Sequence, residues 1–120
     1  MYYAQYGEDK ILNQIFAGKT DGVCVEVGGF EGVTDSNTYF FEKLGWRCLI
    51  VEPMPDFCEK IGMVRHCDIA EIAASDAEGE VQFHFTVDAL KGRSLGHELE
   101  PIQNLKIDQG APIEVADQYF

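Results

Sequence analysis

Residues 23–53, VCVEVGGFEGVTDSNTYFFEKLGWRCLIVEP, decide the fold of this chain. The stretch begins inside a short apolar run, residues 22–28, whose β-branched valines and flanking glycines predict a fully buried strand. The run contains one carboxylate, Glu26, two positions before a pair of glycines. Burying a carboxylate is unfavourable unless the group gains hydrogen bonds or a cation. The first question that the sequence raises is therefore what satisfies Glu26.

Apolar periodicity predicts strands and helices in alternation along the chain. A second buried strand, residues 47–53, ends at Pro53, and residues 80–87 alternate apolar and polar side chains as a half-exposed strand does. The other predicted elements are a helix over 8–17, a helix capped by Thr34, Asp35 or Ser36 and ended by Gly45, a helix over 55–63 and a third strand over 69–74. This alternation requires parallel pairing with right-handed crossovers. We predict an α/β, Rossmann-like open sheet that is mainly parallel.

The periodic pattern fades after residue 87. Residues 88–110 are predicted to form a long loop with a helical turn near 97–104. Residues 111–120 are predicted to hold one more short strand and the start of a helix. The chain shows no internal repeat and no low-complexity segment, so we interpret residues 1–120 as a single domain.

Composition argues against several classes of partner. A net charge of −12 argues against nucleic acid and against an anionic membrane, because both require lysine and arginine to displace counterions. No apolar run approaches the ~18 residues of a membrane span, and no leader sequence opens the chain. None of the four cysteines belongs to a C-x-x-C pair, which favours free thiols over a zinc site or a disulfide framework. We expect a cytoplasmic protein without a metal.

Three glycines, Gly28, Gly29 and Gly32, form the turn after the first predicted strand. Open parallel sheets bind ligands beyond the carboxyl ends of their strands, and glycine there lets a ligand approach the backbone. A tight strand-to-helix turn also needs glycine without any ligand. The spacing is G-G-x-x-G rather than G-x-G-x-x-G, and Glu26 would repel a phosphate. A cationic ligand that carries no phosphate, such as S-adenosylmethionine, suits this turn better than a dinucleotide.

A second acid, Glu52, ends the second predicted strand. A carboxylate at this place can accept hydrogen bonds from both hydroxyl groups of an adenosine ribose. Taken alone, Glu52 is equally compatible with a strand-end carboxylate in solvent. Together with Glu26 and the glycine turn it favours an adenosine ligand. On this interpretation Glu26 is tolerated because a ligand or its own loop satisfies it.

Three segments of the chain resemble the FkbM family of S-adenosylmethionine-dependent methyltransferases. The segments are YAQYGEDKILNQIF (residues 3–16), VEVGGFEGVTDSNTYFFEKLGWRCLIVEPMPDFCEKI (25–61) and AASDAEGEVQFHF (73–85). The motifs that carry the resemblance are a Q-x-G-E-D opening, an E-x-G-x-x-x-G turn followed by S-N-T, and a G-W-x-x-x-x-x-E-P strand. They occur in order and without large gaps from about residue 3 to residue 87.

The resemblance implies a class I methyltransferase fold that binds S-adenosylmethionine and methylates a hydroxyl-bearing small molecule or sugar. By resemblance, the methionine portion of the cofactor would contact Glu26, Gly28 and Gly32, with Gly29 in the same turn. Its ribose would contact Glu52. Its carboxylate would contact Ser36 and Asn37, and its adenine would lie near Ala74 and Ser75. Gln5, Glu8 and Asp9 match the opening motif of the family. These three would close over the cofactor or, alternatively, cap the first helix.

Members of this family continue beyond the length of this chain. The segment LKIDQGAPIEV, residues 105–115, is partly similar to the fourth strand of the family but lacks an acid before the glycine. We therefore favour a loop that precedes that strand, and we expect the chain to hold the cofactor-binding front half of the domain. A sheet truncated in this way leaves one side of the first strand as an open edge. We expect marginal stability, or a homo-oligomer that covers the edge.

Two functions from different classes remain open. The first is an O-methyltransferase in a short or truncated form, and the second is a non-catalytic module that binds the cofactor or acts through association. The catalytic residues are unknown, because the candidate general bases have no partner that the sequence identifies. Those candidates are His66, His84, His97 and Asp68. A third function, a nicotinamide-dependent dehydrogenase, would need the G-x-G-x-x-G turn.

Overall fold

The structure is a computed structural model that describes residues 1–83 and 103–109. The described elements are α1 (Glu8–Ile15), β1 (Val23–Val27), α2 (Tyr39–Leu44), β2 (Arg47–Val51), α3 (Pro55–Val64), β3 (Asp68–Ala70), β4 (Ala73–Ser75), β5 (Gly79–Phe83) and β6 (Gln103–Gln109). Strands and helices alternate from β1 to β3, which confirms the predicted α/β class. Nothing in the described part of the chain forms a helix of the length and apolar content that crossing a membrane requires.

A parallel three-stranded sheet, ordered β1-β2-β3, forms the centre of the described fold. The valine-rich run of β1 and the apolar run of β2 lie in register from Val23 opposite Arg47 to Val27 opposite Val51. Both strands therefore end at the same edge of the sheet. The two residues that follow them, Gly28 and Glu52, leave that edge side by side, and this fixes where a ligand site can form.

One face of the sheet is covered by the helices. Phe41 of α2 packs with Trp46 and Cys48 in a buried cluster that Leu12 of α1 joins. Trp46 also donates a hydrogen bond from its indole nitrogen to the carbonyl of Lys19, 2.6 Å away, so the ring is held at both its apolar face and its polar edge. These contacts attach α1 and α2 to the sheet.

Helix α3 begins at a proline, as the sequence predicts, because proline lacks the N–H that a first helical turn leaves unpaired. It buries Phe57, Cys58 and Ile61, and Ile61 is fully inaccessible to solvent. The helix ends at Val64, and the next residue, Arg65, turns back into the protein with 4% of its surface exposed. The end of α3 thus delivers a buried cation to the core.

The predicted third strand, 69–74, is wrong as one element. The chain forms β3 up to Ala70 and then β4 from Ala73, and the two strands belong to different sheets. The amide of Ile72 donates to the carbonyl of Ala70, 3.0 Å away, which bends the chain between them. The bend moves Ala73 and Ala74 out of the first sheet and towards the ends of β1 and β2.

The loop and helical turn predicted for 88–110 are also wrong where the structure describes them. Gln103–Gln109 is a strand, β6, which lies between β4 and β5, parallel to the former and antiparallel to the latter. Its pairing partners supply the hydrogen bonds that the local sequence pattern does not indicate. The loop interpretation of LKIDQGAPIEV fails for residues 105–109, while the predicted strand and helix at 111–120 lie outside the described residues.

The edge of the first sheet is open where the structure describes it. Within residues 1–83 and 103–109, β1 pairs with β2 alone. Val23, Val25 and Val27 alternate with Cys24 and Glu26 along β1 and are 57%, 40% and 59% exposed. The prediction that this strand is fully buried is therefore wrong, because the described residues leave these side chains open to solvent. This arrangement is the open edge expected from the sequence, and a homo-oligomer that covers it remains a prediction.

Candidate functional site

A cavity of about 300 Å³ opens where β1 and β2 end. It is lined by Glu52, by Gly28 of the turn, and by the apolar residues Val27, Val51, Pro53, Ile72, Ala73 and Ala74. Apolar walls with a small number of convergent polar groups are typical of small-molecule sites, and this volume lies at the lower end of their range. The location beyond the carboxyl ends of parallel strands is the one predicted from the sequence.

The glycine turn shapes the mouth of this cavity. Gly28 has a φ of +81°, and no atom lies within 4 Å of the place that a Cβ would occupy, so its backbone is open to an approaching molecule. Its amide donates to the carbonyl of Val51, 2.7 Å away, and this ties the turn to β2. Gly29 instead faces inward, where a Cβ would lie 2.3 Å from Cγ2 of Ile50. Gly28 therefore leaves room for a ligand beside the backbone, whereas Gly29 allows the turn to pack against Ile50.

The backbone of the turn holds Glu52 in place. The amide of Phe30 donates to Oε2 at 3.1 Å, and the amide of Met54 donates to Oε1 at 3.0 Å. The amide of Gly29 is a third hydrogen-bond donor to this carboxylate, so three backbone amides hold it. The residue is 5% exposed and lines the cavity, so a ligand bound there would lie beside it.

Glu52 is also the acid on which we predict a pH effect. Burial raises its pKa above the ordinary value of about 4.5, although hydrogen bonds from the amides of Met54, Phe30 and Gly29 oppose the rise. The folded chain therefore holds this proton more tightly than the unfolded chain. The resulting stabilisation is complete below about pH 4.5 and is lost as the pH rises through the higher pKa of the folded state.

As the pH rises from about 4.5, we expect the free energy of unfolding to fall less for Glu52→Gln than for the wild type. Urea unfolding at a series of pH values measures this difference. The exposed Glu59 provides the matched control, because Glu59→Gln should keep the pH dependence of the wild type. Parallel curves for wild type and Glu52→Gln would contradict the raised pKa.

The loop before α2 satisfies the other acid, Glu26. Its Oε2 accepts hydrogen bonds from the hydroxyls of Ser36, at 2.8 Å, and Thr38, and its Oε1 accepts one from the amide of Asn37 at 3.1 Å. Ser36 in turn accepts the amide of Tyr39, at 3.0 Å, and so starts the helix. The sequence left open whether a ligand or its own loop satisfies Glu26. In the structure the loop does so.

A buried cation completes this cluster. One guanidinium nitrogen of Arg65 lies 3.9 Å from Oε2 of Glu26 and donates to the carbonyl of Gly32 at 2.7 Å, while its Nε forms an ion pair with Glu42. The guanidinium also donates to the hydroxyls of Ser36, at 3.2 Å, and Thr38, at 3.1 Å. Burial alone would lower the pKa of Arg65, but the hydrogen bond and charge of Glu42 raise it above its ordinary value. We call Arg65, Glu26, Glu42, Ser36 and Thr38 the arginine cluster.

The structure divides the predicted cofactor residues into two groups. Gly28, Glu52 and Ala74 line one cavity, whereas Glu26, Ser36, Asn37 and Gly32 surround or contact the arginine cluster. Glu26 lies opposite Ile50, two residues before Glu52, so both acids leave the same edge of the sheet but turn towards different segments. Ser75 lies in β4, and its hydroxyl is 3.3 Å from a carboxylate oxygen of Asp76.

The acids of the opening motif organise the N-terminal segment. Asp9 is fully buried and accepts the amides of Tyr3, at 2.6 Å, and Ala4, at 3.1 Å. Glu8 accepts the amide of Tyr6 at 2.9 Å. The N-cap of α1 is Gly7 and makes no side-chain hydrogen bond, so these contacts hold the segment before the helix rather than cap it. They do not involve the residues that line the cavity at Glu52, and closure over a cofactor stays a prediction.

The candidate general bases lie elsewhere in the described fold. His66 lines a separate cavity with Tyr39, Lys43 and Glu42, and that cavity shares no residue with the one at Glu52. Asp68 opens β3 and does not line the cavity at Glu52 either. His84 and His97 lie outside the described residues. Over the described ranges, no group of three or more His, Cys, Asp or Glu side chains is arranged to hold a metal ion.

Arg65 is the site-forming residue that sequence reasoning missed. It follows the predicted third helix, where a basic residue is usually solvated, and nothing local indicates its burial. The only sequence signal for a buried cation was the excess of acids, since the chain has 9 basic and 21 acidic residues. Glu26 and the hydroxyl-rich loop before α2 belong to this acidic chain. Hydrogen bonds from the loop satisfy Glu26, and Arg65 adds a positive charge 3.9 Å from its Oε2.

Comparison with known proteins found no relative of this chain. The chain matches no protein-family model, no curated protein and no solved structure.

Proposed function

We propose that this chain binds S-adenosylmethionine at the cavity beyond β1 and β2, and that it is a methyltransferase of the class I fold acting on the hydroxyl of a small or sugar-like acceptor. The observation that carries the proposal is the position of Glu52, which is buried, held by backbone amides and part of the lining of the cavity. The sequence resemblance to FkbM methyltransferases supports the same assignment.

The chemistry of the cavity supports an adenosine rather than a phosphate ligand. Two vicinal ribose hydroxyls are paired donors, and the two carboxylate oxygens of Glu52 are acceptors that can each take more than one hydrogen bond. The apolar walls from Val27, Val51 and Ile72 suit the faces of an adenine ring. A pyrophosphate would meet the carboxylate of Glu52 instead of a cation, which is unfavourable.

Methyl transfer requires little from the protein beyond position. The cofactor supplies an electrophilic methyl group, and the acceptor oxygen must be aligned with the carbon–sulfur bond that breaks. The open backbone at Gly28 would allow the methionine part of the cofactor to pass the turn. Glu26 would act indirectly, because its hydrogen bonds fix the loop at Ser36–Thr38.

A non-catalytic cofactor-binding module is the second candidate function. The observation in its favour is that neither His66 nor Asp68 lines the cavity at Glu52, so the described residues place no candidate base beside it. Both candidates require the cofactor to bind. They differ in turnover, which incubation of the chain with S-adenosylmethionine and a panel of hydroxylated acceptors measures as release of S-adenosylhomocysteine.

Calorimetric titration with S-adenosylhomocysteine tests the binding site itself. We expect the wild type to bind it in preference to NAD, and we expect Glu52→Gln to weaken binding by about tenfold to a hundredfold, since hydrogen bonds to a charged group contribute about 1.5–3 kcal/mol. Glu59→Gln is the control and should bind as the wild type does, because Glu59 is exposed on α3 away from the cavity. Equal affinity of wild type and Glu52→Gln would remove the ribose assignment.

A further inference from the structure

Two thiols meet across the first sheet, at a place that the proposed cofactor site does not use. Cys24 of β1 lies directly opposite Cys48 of β2, and their sulfur atoms are 2.6 Å apart. Both are free cysteines. Neighbouring strands are spaced by about 4.8 Å, which lies within the range of Cα separations that a disulfide can bridge. The register therefore already supplies the approach that a bond between the two sulfurs requires.

One of the two thiols is accessible from outside. Cys24 is half-buried and lines a cavity of about 330 Å³ between β1, α1 and α2, whose other walls include Phe16, Phe41 and Trp46. Cys48 is 3% exposed and packs with Phe41 and Trp46 behind it. A small molecule in this cavity would reach Cys24 first and Cys48 only through Cys24.

The surroundings make this pair different from the other two cysteines. Because Cys24 donates a hydrogen bond to Cys48, the pKa of Cys48 is lowered and that of Cys24 is raised, and the charge of Arg65 lowers the pKa of Cys48 further. Burial raises the pKa of both Cys58 and Cys67 to about 12. Thiolate is the reactive form of cysteine, so Cys48 is the favoured thiolate of the four.

We propose that Cys24 and Cys48 are a redox-active pair that forms a reversible disulfide by exchange with a small-molecule disulfide such as oxidised glutathione. Cys24 attacks one sulfur of the incoming disulfide and gives its proton to the Cys48 thiolate, while the first glutathione leaves as a thiolate. Cys48 then passes that proton to the first glutathione thiolate and attacks the Cys24 sulfur of the mixed disulfide, and the second glutathione leaves as a thiolate that takes a proton from solvent. Two cysteine thiols are oxidised, and one glutathione disulfide is reduced to two glutathione thiols.

Closing the bond would fasten β1 to β2 beside the arginine cluster. Glu26 lies two residues after Cys24 on the same strand, so the covalent link would restrict the strand that presents this acid to the loop at Ser36–Thr38. The link would also anchor the strand whose outer edge is open among the described residues. The pair thus connects the redox state of the surroundings to the order of the first strand.

The test is oxidation of the reduced full chain with oxidised glutathione, followed by intact-mass measurement and peptide mapping. We expect one intramolecular disulfide, seen as a loss of two hydrogen atoms in mass and as a linked peptide containing Cys24 and Cys48, and we expect dithiothreitol to reverse it. In Cys48→Ser no internal bond can form, and glutathione should be gained on Cys24 alone and more slowly than the wild type reacts, because the Cys48 thiolate no longer takes its proton. Cys67→Ser is the matched control and should still form the internal bond.

Several outcomes would overturn the pairing. Absence of any internal disulfide in the wild type after oxidation would do so, as would a linked peptide that contains Cys67 or Cys58 in place of either partner. Oxidation that yields only chains linked to one another would also contradict it. Because peptide mapping of the wild type decides the pairing by itself, the result does not depend on whether Cys48→Ser folds.

Discussion

Replacing Arg65 with methionine is expected to lower the free energy of unfolding by about 3–5 kcal/mol, because removing one partner of a buried ion pair leaves the other charge without compensation. The side chain is wholly buried and lies between two carboxylates, those of Glu42 and Glu26, whose side chains are each 11% exposed. Methionine fills much of the volume but donates no hydrogen bond. Glu42 and the carbonyl of Gly32 would each lose a hydrogen-bond donor, and Glu26 would lose the positive charge beside it.

Urea unfolding followed by circular dichroism measures this loss. Lys10→Met is the matched control, since Lys10 is exposed on α1 and its replacement should change stability by less than about 0.5 kcal/mol. The double variant Arg65→Met with Glu42→Gln should be less destabilised than the sum of the two single variants, because the uncharged glutamine no longer needs the cation. A cost of Arg65→Met close to that of Lys10→Met would contradict the role of the arginine cluster.

The second large effect is expected at Gly29, where alanine should destabilise the fold by about 1–3 kcal/mol through overpacking. The added Cβ would lie 2.3 Å from Cγ2 of Ile50. Ile50 is itself fully buried and cannot move aside. Relief therefore requires the turn to shift, and the turn carries the amide of Phe30 that holds Glu52. We expect Gly29→Ala to weaken binding of S-adenosylhomocysteine as well.

The control for Gly29 is a glycine with free space around it. Gly62 is exposed on α3, and the nearest atom to its added Cβ is 3.9 Å away, so Gly62→Ala should be neutral or stabilising. Ile50→Ala removes the clashing methyl group at a cost of its own. In the double variant, the further cost of Gly29→Ala should fall markedly relative to its cost in the wild type. An unchanged cost would show that the clash is not what limits this position.

The central sheet was predictable because its strands carry their signal locally. The runs that form β1 and β2 are apolar, short and bounded by turn residues, which is typical of strands in parallel sheets. The predicted burial holds for β2 but not for β1, whose valines are exposed. Glu26 and Glu52 could be placed at the ends of those strands for the same reason. Parallel strands end at a common edge, so the position of the cavity followed from the strand order.

The rest depended on partners that are distant in the sequence. Strand β4 consists of Ala73, Ala74 and Ser75, which have low strand propensity, and it forms because β6 pairs with it. The bend after Ala70 likewise has no local signature of glycine or proline. The separation of Glu26 from the cavity at Glu52 could not be foreseen either, because it results from hydrogen bonds to Ser36, Asn37 and Thr38 together with Arg65.

The negative net charge of this chain opposes association through the open edge of β1. Val23, Val25 and Val27 present an apolar stripe beside backbone groups that have no strand partner within the described residues, and such an edge is a template for adding the edge of another molecule. A net charge of −12 makes two copies of the chain repel each other before those edges can meet. As the pH approaches the isoelectric point near 4.4, this repulsion vanishes, and we expect the chain to aggregate through the edge of β1.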